Sequence, residues 1–173
     1  MILMLSGSLR AMSTNTALLR TAAAMFDDGV LYDRMGQLPH FDPDDDVEPL
    51  HPEVQHLRDT IQAAEAIVIC MPEYAGAMPG SFKNALDWTV GSTVMNAKPT
   101  AVVNVSAFGA STAQQSLLIV LGYVMADIVA TASVHIPVQR QHVGADGLID
   151  DSTVRQQITA VVSALRARTA ATP

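Results

Sequence analysis

The chain has 173 residues, half of them hydrophobic, and a formal net charge of −7. That is the size of one domain, large enough to bury roughly 70% of the surface of its unfolded chain without disulfides or metals, and too acidic for nonspecific binding to nucleic acid, which needs a basic face. A single cysteine, Cys70, excludes an internal disulfide and suits a reducing compartment.

Residues 1–5 lack the basic start and long apolar body of a signal peptide, and no apolar run approaches the roughly 20 residues of a membrane span. A cytoplasmic protein is expected. Residues 2–5 suit a buried first strand. Residues 15–26 then place Leu18, Leu19, Ala22 and Met25 on one helical face. Residues 30–32 are a weak second strand. Residues 33–52 are polar and Pro-rich, and so long a stretch without regular structure is usually functional or interfacial. Its acidic run, Asp42-Pro43-Asp44-Asp45-Asp46-Val47-Glu48, reads as a solvated loop. The central Gly and terminal Glu of a calcium loop are missing.

Residues 53–64 predict a helix with Val54, Leu57 and Ile61 inward. Residues 66–71 are an unbroken apolar run, as in a parallel strand buried on both faces. Cys70 ends it and reads as a buried structural thiol. A helix follows over 79–90, with Pro79 in its first turn. A fourth strand covers 100–105 and a helix 112–125. A fifth strand lies within 128–138, interrupted late by Pro137. Asp151 or Ser152 caps a last helix running to about Arg168, with Val154, Ile158, Val161, Val162 and Leu165 as its buried stripe.

Strand–helix alternation repeated five times implies an α/β fold: a parallel sheet with helices on both faces. The flavodoxin-like order 2-1-3-4-5 fits, as a three-layer sandwich over residues 1–173. Its switch point lies between strands 1 and 3, and ligands bind where the loops leave those strands.

The loop after strand 1 contains Ser8, Leu9, Arg10, Ser13, Asn15 and Thr16. A helix N-terminus offers unpaired N–H groups and partial positive charge, to which Ser8, Ser13, Asn15 and Thr16 add hydroxyl or amide donors and Arg10 a guanidinium. Capping of the helix by Ser13 or Asn15 explains one of them; convergence with an Arg points to a phosphate. Neither a P-loop nor a Gly-x-Gly-x-x-Gly turn is present. The loop after strand 3 carries Pro72, Glu73, Tyr74, Ala75 and Gly76, a rigid stretch against which a flat ring can lie. Phe82 and Leu86 read as core. Lys83, Asn84 and Trp88 read as packing or surface, and the five histidines as surface or capping residues without metal spacing.

Gly7-Ser8-Leu9-Arg10-x-x-Ser13-x-Asn15, followed by Pro72-Glu73-Tyr74 and Pro79-Gly80-x-x-Lys83-Asn84-Ala85-Leu86-Asp87-Trp88, resembles the NADPH-dependent FMN reductase family through about Gly109. The resemblance implies that Ser8, Arg10, Ser13, Asn15 and Thr16 hold the phosphate of FMN, with Leu9 among the cofactor-binding residues. Pro72, Glu73, Tyr74, Ala75 and Gly76 would line its ring, and Ser106 and Gly109 would flank the other edge. Many members have Asn where Ala75 stands, which removes one polar side chain near the flavin. Residues 110–113 replace a Gly-Gly pair often found there.

The implied activity is hydride transfer from NADPH or NADH through FMN to quinones, free flavin or similar small acceptors, in ping-pong order. The flavin carries the chemistry, so no catalytic side chain is assigned. A flavodoxin-like electron carrier and a non-catalytic sensor module are the alternatives. The family implies a homodimer or homotetramer. Met78 and Phe108 are either apolar cover over the ring or core.

Overall fold

Five strands form one parallel sheet in the expected order, β2-β1-β3-β4-β5. They are β1 (Ile2–Ser6), β2 (Gly29–Tyr32), β3 (Ala66–Cys70), β4 (Pro99–Val103) and β5 (Asp127–Ile128). The structure, a computed structural model, describes residues 1–107, 109 and 111–171. Its helices are α1 (Thr14–Met25), α2 (Pro52–Ala63), α3 (Gly80–Asp87), α4 (Ser111–Tyr123) and α5 (Ser152–Ala170). None is long and apolar enough to cross a membrane.

The core divides at the sheet because strand side chains alternate between faces. Ile2 and Met4 of β1 pack with Leu18 of α1 and Val162 of α5. Leu3 and Leu5 pack with Leu57 of α2, Phe82 of α3 and Leu117 of α4. β1, β3 and β4 are buried throughout, which is why they read as unbroken apolar runs.

The helix starts follow their caps. Ser13 Oγ accepts the Thr16 N–H of α1, and Asp151 Oδ1 the Val154 N–H of α5. His51 Nδ1 accepts the Glu53 N–H at 3.2 Å, with Pro52 in the first turn of α2.

Three expectations differ in detail. Pro79 is the N-cap of α3 rather than part of it, and α3 stops at Asp87. There the chain tightens: Val90 N–H bonds Asp87 O, and the Thr89 hydroxyl takes Leu86 O. The fifth strand has only two residues, because Ser133 Oγ accepts the Val102 N–H in place of a strand carbonyl. The chain resumes beside β4 through Asn104 N–H to Val134 O and Val138 N–H to Val105 O. In the acidic run, Asp46 is turned inward onto Arg58, Oδ1 to Nη2 at 2.7 Å.

Candidate functional site

β1 and β3 are neighbours, so the loops leaving their C-terminal ends lie side by side. Gly7 N–H donates to Cys70 O at 2.9 Å, extending the ladder past β1. A Cβ on Gly7 would stand 2.4 Å from Met71 Cβ and 3.2 Å from Met71 Cα. Glycine is what lets the two loops approach this closely.

The first loop is shaped by its own hydroxyls. Ser6 Oγ shares a hydrogen bond with Thr16 Oγ1 at 2.7 Å and accepts the Ser8 N–H at 3.2 Å. Ser8 Oγ accepts the Arg10 N–H at 3.3 Å. The first-turn N–H groups of α1, on Thr14 and Asn15, have no acceptor within the helix. Asn15 is buried, and its Oδ1 accepts the Cys70 thiol at 3.2 Å, leaving the amide NH₂ as its free donor. Burial pushes the Cys70 thiol above its ordinary range, so it stays protonated and stays a donor.

The second loop closes on itself. Tyr74 and Ala77 exchange backbone hydrogen bonds of 3.0 and 3.1 Å. Between them Ala75 (φ +50°) and Gly76 (φ +76°) are both left-handed, the conformation of a two-residue type I′ turn. Two contacts fasten this loop to α4. Glu73 Oε2 accepts the Ala113 N–H, and Met78 N–H donates to Ser116 Oγ, each at 3.2 Å.

Ser8, Arg10, Ser13, Asn15, Pro72 and Tyr74 line one cleft of about 230 Å³. Leu9 and Thr16 line the adjoining space on the β2 side, with Asp33 and Gln37. Glu73 is turned to α4, and Ala75 and Gly76 form the turn beyond Tyr74. Ser106 N–H donates to Asn104 Oδ1 at 2.9 Å, and Ser106 O lies 2.6 Å from His135 Nε2. Gly109 (φ +72°) donates to Ser106 O at 3.4 Å. Neither Ser106 nor Gly109 lines the cleft. Met78 is buried in the core, and Phe108 lies outside the described residues.

Arg140 lines the same cleft, and the sequence reading had passed it over. It begins a single 3₁₀ turn, Arg140–His142, just after Val138 has fastened to β4. Its only sequence signal was a position beyond a strand end, a weak one with no motif around it.

The Lys83-Asn84-x-x-x-Trp88 stretch works away from the cleft. Asn84 Oδ1 accepts the Phe41 N–H at 2.7 Å, and Asn84 Nδ2 donates to Pro39 O at 2.8 Å. Trp88 Nε1 shares that carbonyl at 2.9 Å, and its ring meets Phe41 edge-on at 5.0 Å between centroids. These contacts order the long loop.

Residues 1–141 match the family model described as NADPH-dependent FMN reductase. The chain is 31% identical over 172 residues to an NAD(P)H-dependent FMN reductase of Pseudomonas aeruginosa, covering 95% of this chain and 92% of that one. It is also 31% identical over 160 residues to a 2-hydroxy-1,4-benzoquinone reductase of a Burkholderia species, covering 88% and 86%. Among solved structures it resembles the flavoenzyme NAD(P)H:(acceptor) oxidoreductase FerB of Paracoccus denitrificans. The TM-score is 0.77 at 28% identity, covering 95% of this chain and 94% of that one.

Proposed function

The chain belongs to the NADPH-dependent FMN reductase family, and from that premise we propose that residues 1–173 act as one FMN-binding domain that passes electrons from NAD(P)H to quinones, free flavin or similar small acceptors. The observation that carries this reading is the close approach of Gly7 to Met71, which brings a phosphate-type loop and a flat shelf to one cleft.

The donor set fits FMN. A phosphate dianion takes the first-turn N–H groups of α1 and the partial charge behind them. Ser8, Ser13 and the Asn15 NH₂ supply neutral donors, and Arg10 a charged fork. Leu9 and Thr16 support this loop from its β2 side. Pro72, Tyr74, Ala75 and Gly76 offer the ring a backbone edge, and Glu73 fixes that edge by holding α4. The family resemblance alone sets Ser106 and Gly109 at the far edge of the ring, since both lie outside the cleft.

When bound, FMN supplies the redox chemistry, accepting hydride from NAD(P)H and yielding electrons to the acceptor. The protein's part is to hold the phosphate, present the shelf and leave one ring face open. NAD(P)H and the acceptor use that face in turn, which is a ping-pong order. α4 supports a homodimer or homotetramer. It has no charged residue, and it turns Leu118, Ile119 and Tyr123 to solvent beside the shelf it anchors, Tyr123 being 84% exposed. A lone reduced cysteine agrees with a cytoplasmic setting.

The test is an absorbance spectrum of protein reconstituted with FMN, then anaerobic titration with NADPH and NADH, then addition of a benzoquinone. Retained flavin, bleaching by the nicotinamide and recovery with quinone are expected. Protein that holds no flavin sinks the reading, and flavin that NAD(P)H does not bleach points instead to an electron carrier.

A further inference from the structure

Acidic residues outnumber basic ones 17 to 10 in this chain, yet the side chains of Arg20 and Arg140 have no hydrogen-bond or ion-pair partner among the described residues. Both line a cleft of about 350 Å³ between the start of α1 and residues 143–147. That volume is at the small end of the range for small-molecule sites.

Arg140 also lines the 230 Å³ cleft described above, and Arg20 also lines the space beside Ser8, Arg10 and Thr16. The head of Arg20 decides which space it serves. Its Nη1 would lie 2.7 Å from a Cβ on Gly147, and its Cζ 3.8 Å. Gly147 lines the 350 Å³ cleft and not the space beside Ser8. The guanidinium therefore rests on a glycine of the cleft wall, where any side chain would displace it.

The lining sets the charge and shape of a ligand. Against the two guanidiniums stands one carboxylate, Asp146, whose Oδ1 accepts the Leu148 N–H at 3.0 Å. One positive charge is left in excess, which matches a carboxylate better than a phosphate dianion. Met12, Ala17, Val143 and Ala145 make the rest of the wall apolar. Apolar walls with a few charged groups suit an organic ligand rather than a bare inorganic anion. A guanidinium fork takes a carboxylate through two parallel hydrogen bonds, and its flat face stacks on an aromatic ring. We propose that this cleft binds a small aromatic carboxylate, with the carboxylate on Arg20 and the ring on the apolar wall, at a site separate from the flavin phosphate.

The site needs no flavin, so calorimetry on the full chain, with and without FMN, tests it with benzoate, benzyl alcohol, acetate and inorganic phosphate. Benzoate should bind about tenfold or more tightly than benzyl alcohol in both preparations, the worth of one charge-assisted contact. It should also outbind acetate and phosphate, which lack the ring. Arg20→Gln should erase the advantage over benzyl alcohol, and Arg20→Lys should keep part of it. Ala145→Glu, at an exposed position of the wall, adds a second carboxylate and should weaken benzoate too. Four results overturn the proposal: no binding of benzoate, acetate or phosphate binding as tightly as benzoate, benzoate affinity unchanged in both Arg20→Gln and Ala145→Glu, or complete displacement of benzoate by FMN, which would move it to the flavin cleft.

Discussion

The Cys70 thiol donates to Asn15 Oδ1 across 3.2 Å, joining the end of β3, which leads to Pro72 and Tyr74, to the first turn of α1 beside Ser8 and Arg10. The bond decides which end of the Asn15 amide is free, and the free end is the donor a phosphate needs. Asn15→Ala should therefore weaken FMN binding about ten- to a hundredfold, the range for a hydrogen bond to a charged group. Cys70→Ala should weaken it only about fivefold, by loosening the amide. Cys70→Ser keeps a donor and should recover part of the loss. Fluorescence titration of FMN measures all three, and wild-type affinity in Cys70→Ala would show that the thiol orients nothing.

Stability should fall in alkali through two buried acids. Burial raises the Cys70 thiol well above its ordinary 9.0, and it raises Tyr32 from 10.0 to about 12, with Glu53 adding to the effect. Both stay protonated in the fold after they ionise in the unfolded chain. The unfolded state then holds fewer protons, and stability declines as pH rises past each ordinary value. The limiting slope is about 1.4 kcal/mol per pH unit for one group. Lys98, lowered by burial, acts in the opposite sense just below its ordinary 10.5. The difference between wild type and Cys70→Ala in urea unfolding removes Lys98 and Tyr32 from the comparison. That difference should be flat below 9.0 and shrink above it; a difference that stays constant above 9.0 contradicts the assignment.

Ala75 sits at φ +50° in a turn whose other central residue is Gly76. A left-handed conformation costs an alanine about 1 kcal/mol that asparagine or glycine largely escapes. Ala75→Asn and Ala75→Gly should each raise stability by about 0.5–1 kcal/mol, or a few degrees in Tm. Gly76→Ala should lower it by about 1 kcal/mol. A Cβ there meets only Thr112 Cγ2 at 3.9 Å, so the penalty is conformational rather than steric. Differential scanning calorimetry of the three variants checks the order, and an Ala75→Gly variant less stable than wild type reverses it.

The sheet order was legible because β1, β3 and β4 are buried on both faces, and burial on both faces leaves an unbroken apolar run in the sequence. That Ser8, Arg10, Ser13 and Asn15 border one cleft was legible because these residues lie within one short segment. β5 was not, since a side-chain hydroxyl, Ser133 Oγ, takes the place of its ladder, and serine carries no strand signal. Arg140 was hidden for a related reason. It reaches the cleft through β4 and the segment beside it, a tertiary path that no local spacing records. The Asn84 and Trp88 positions, read as packing or surface, turned out to order a loop that is distant in sequence.

Asn84 makes the last prediction. It gives Phe41 its acceptor and shares Pro39 O with Trp88. Asn84→Ala leaves the Phe41 N–H unpaired while Trp88 still holds Pro39. Loss of the two hydrogen bonds should cost about 2 kcal/mol, and the effect should concentrate in residues 33–52, because the core contacts of α3 through Phe82 and Leu86 are untouched. Proteolysis under native conditions should therefore cut first in that loop, and the Phe41 amide should exchange faster than the amides of β1 and β3. Uniform acceleration across the sheet would instead mean that Asn84 supports the whole fold and is no local fastening.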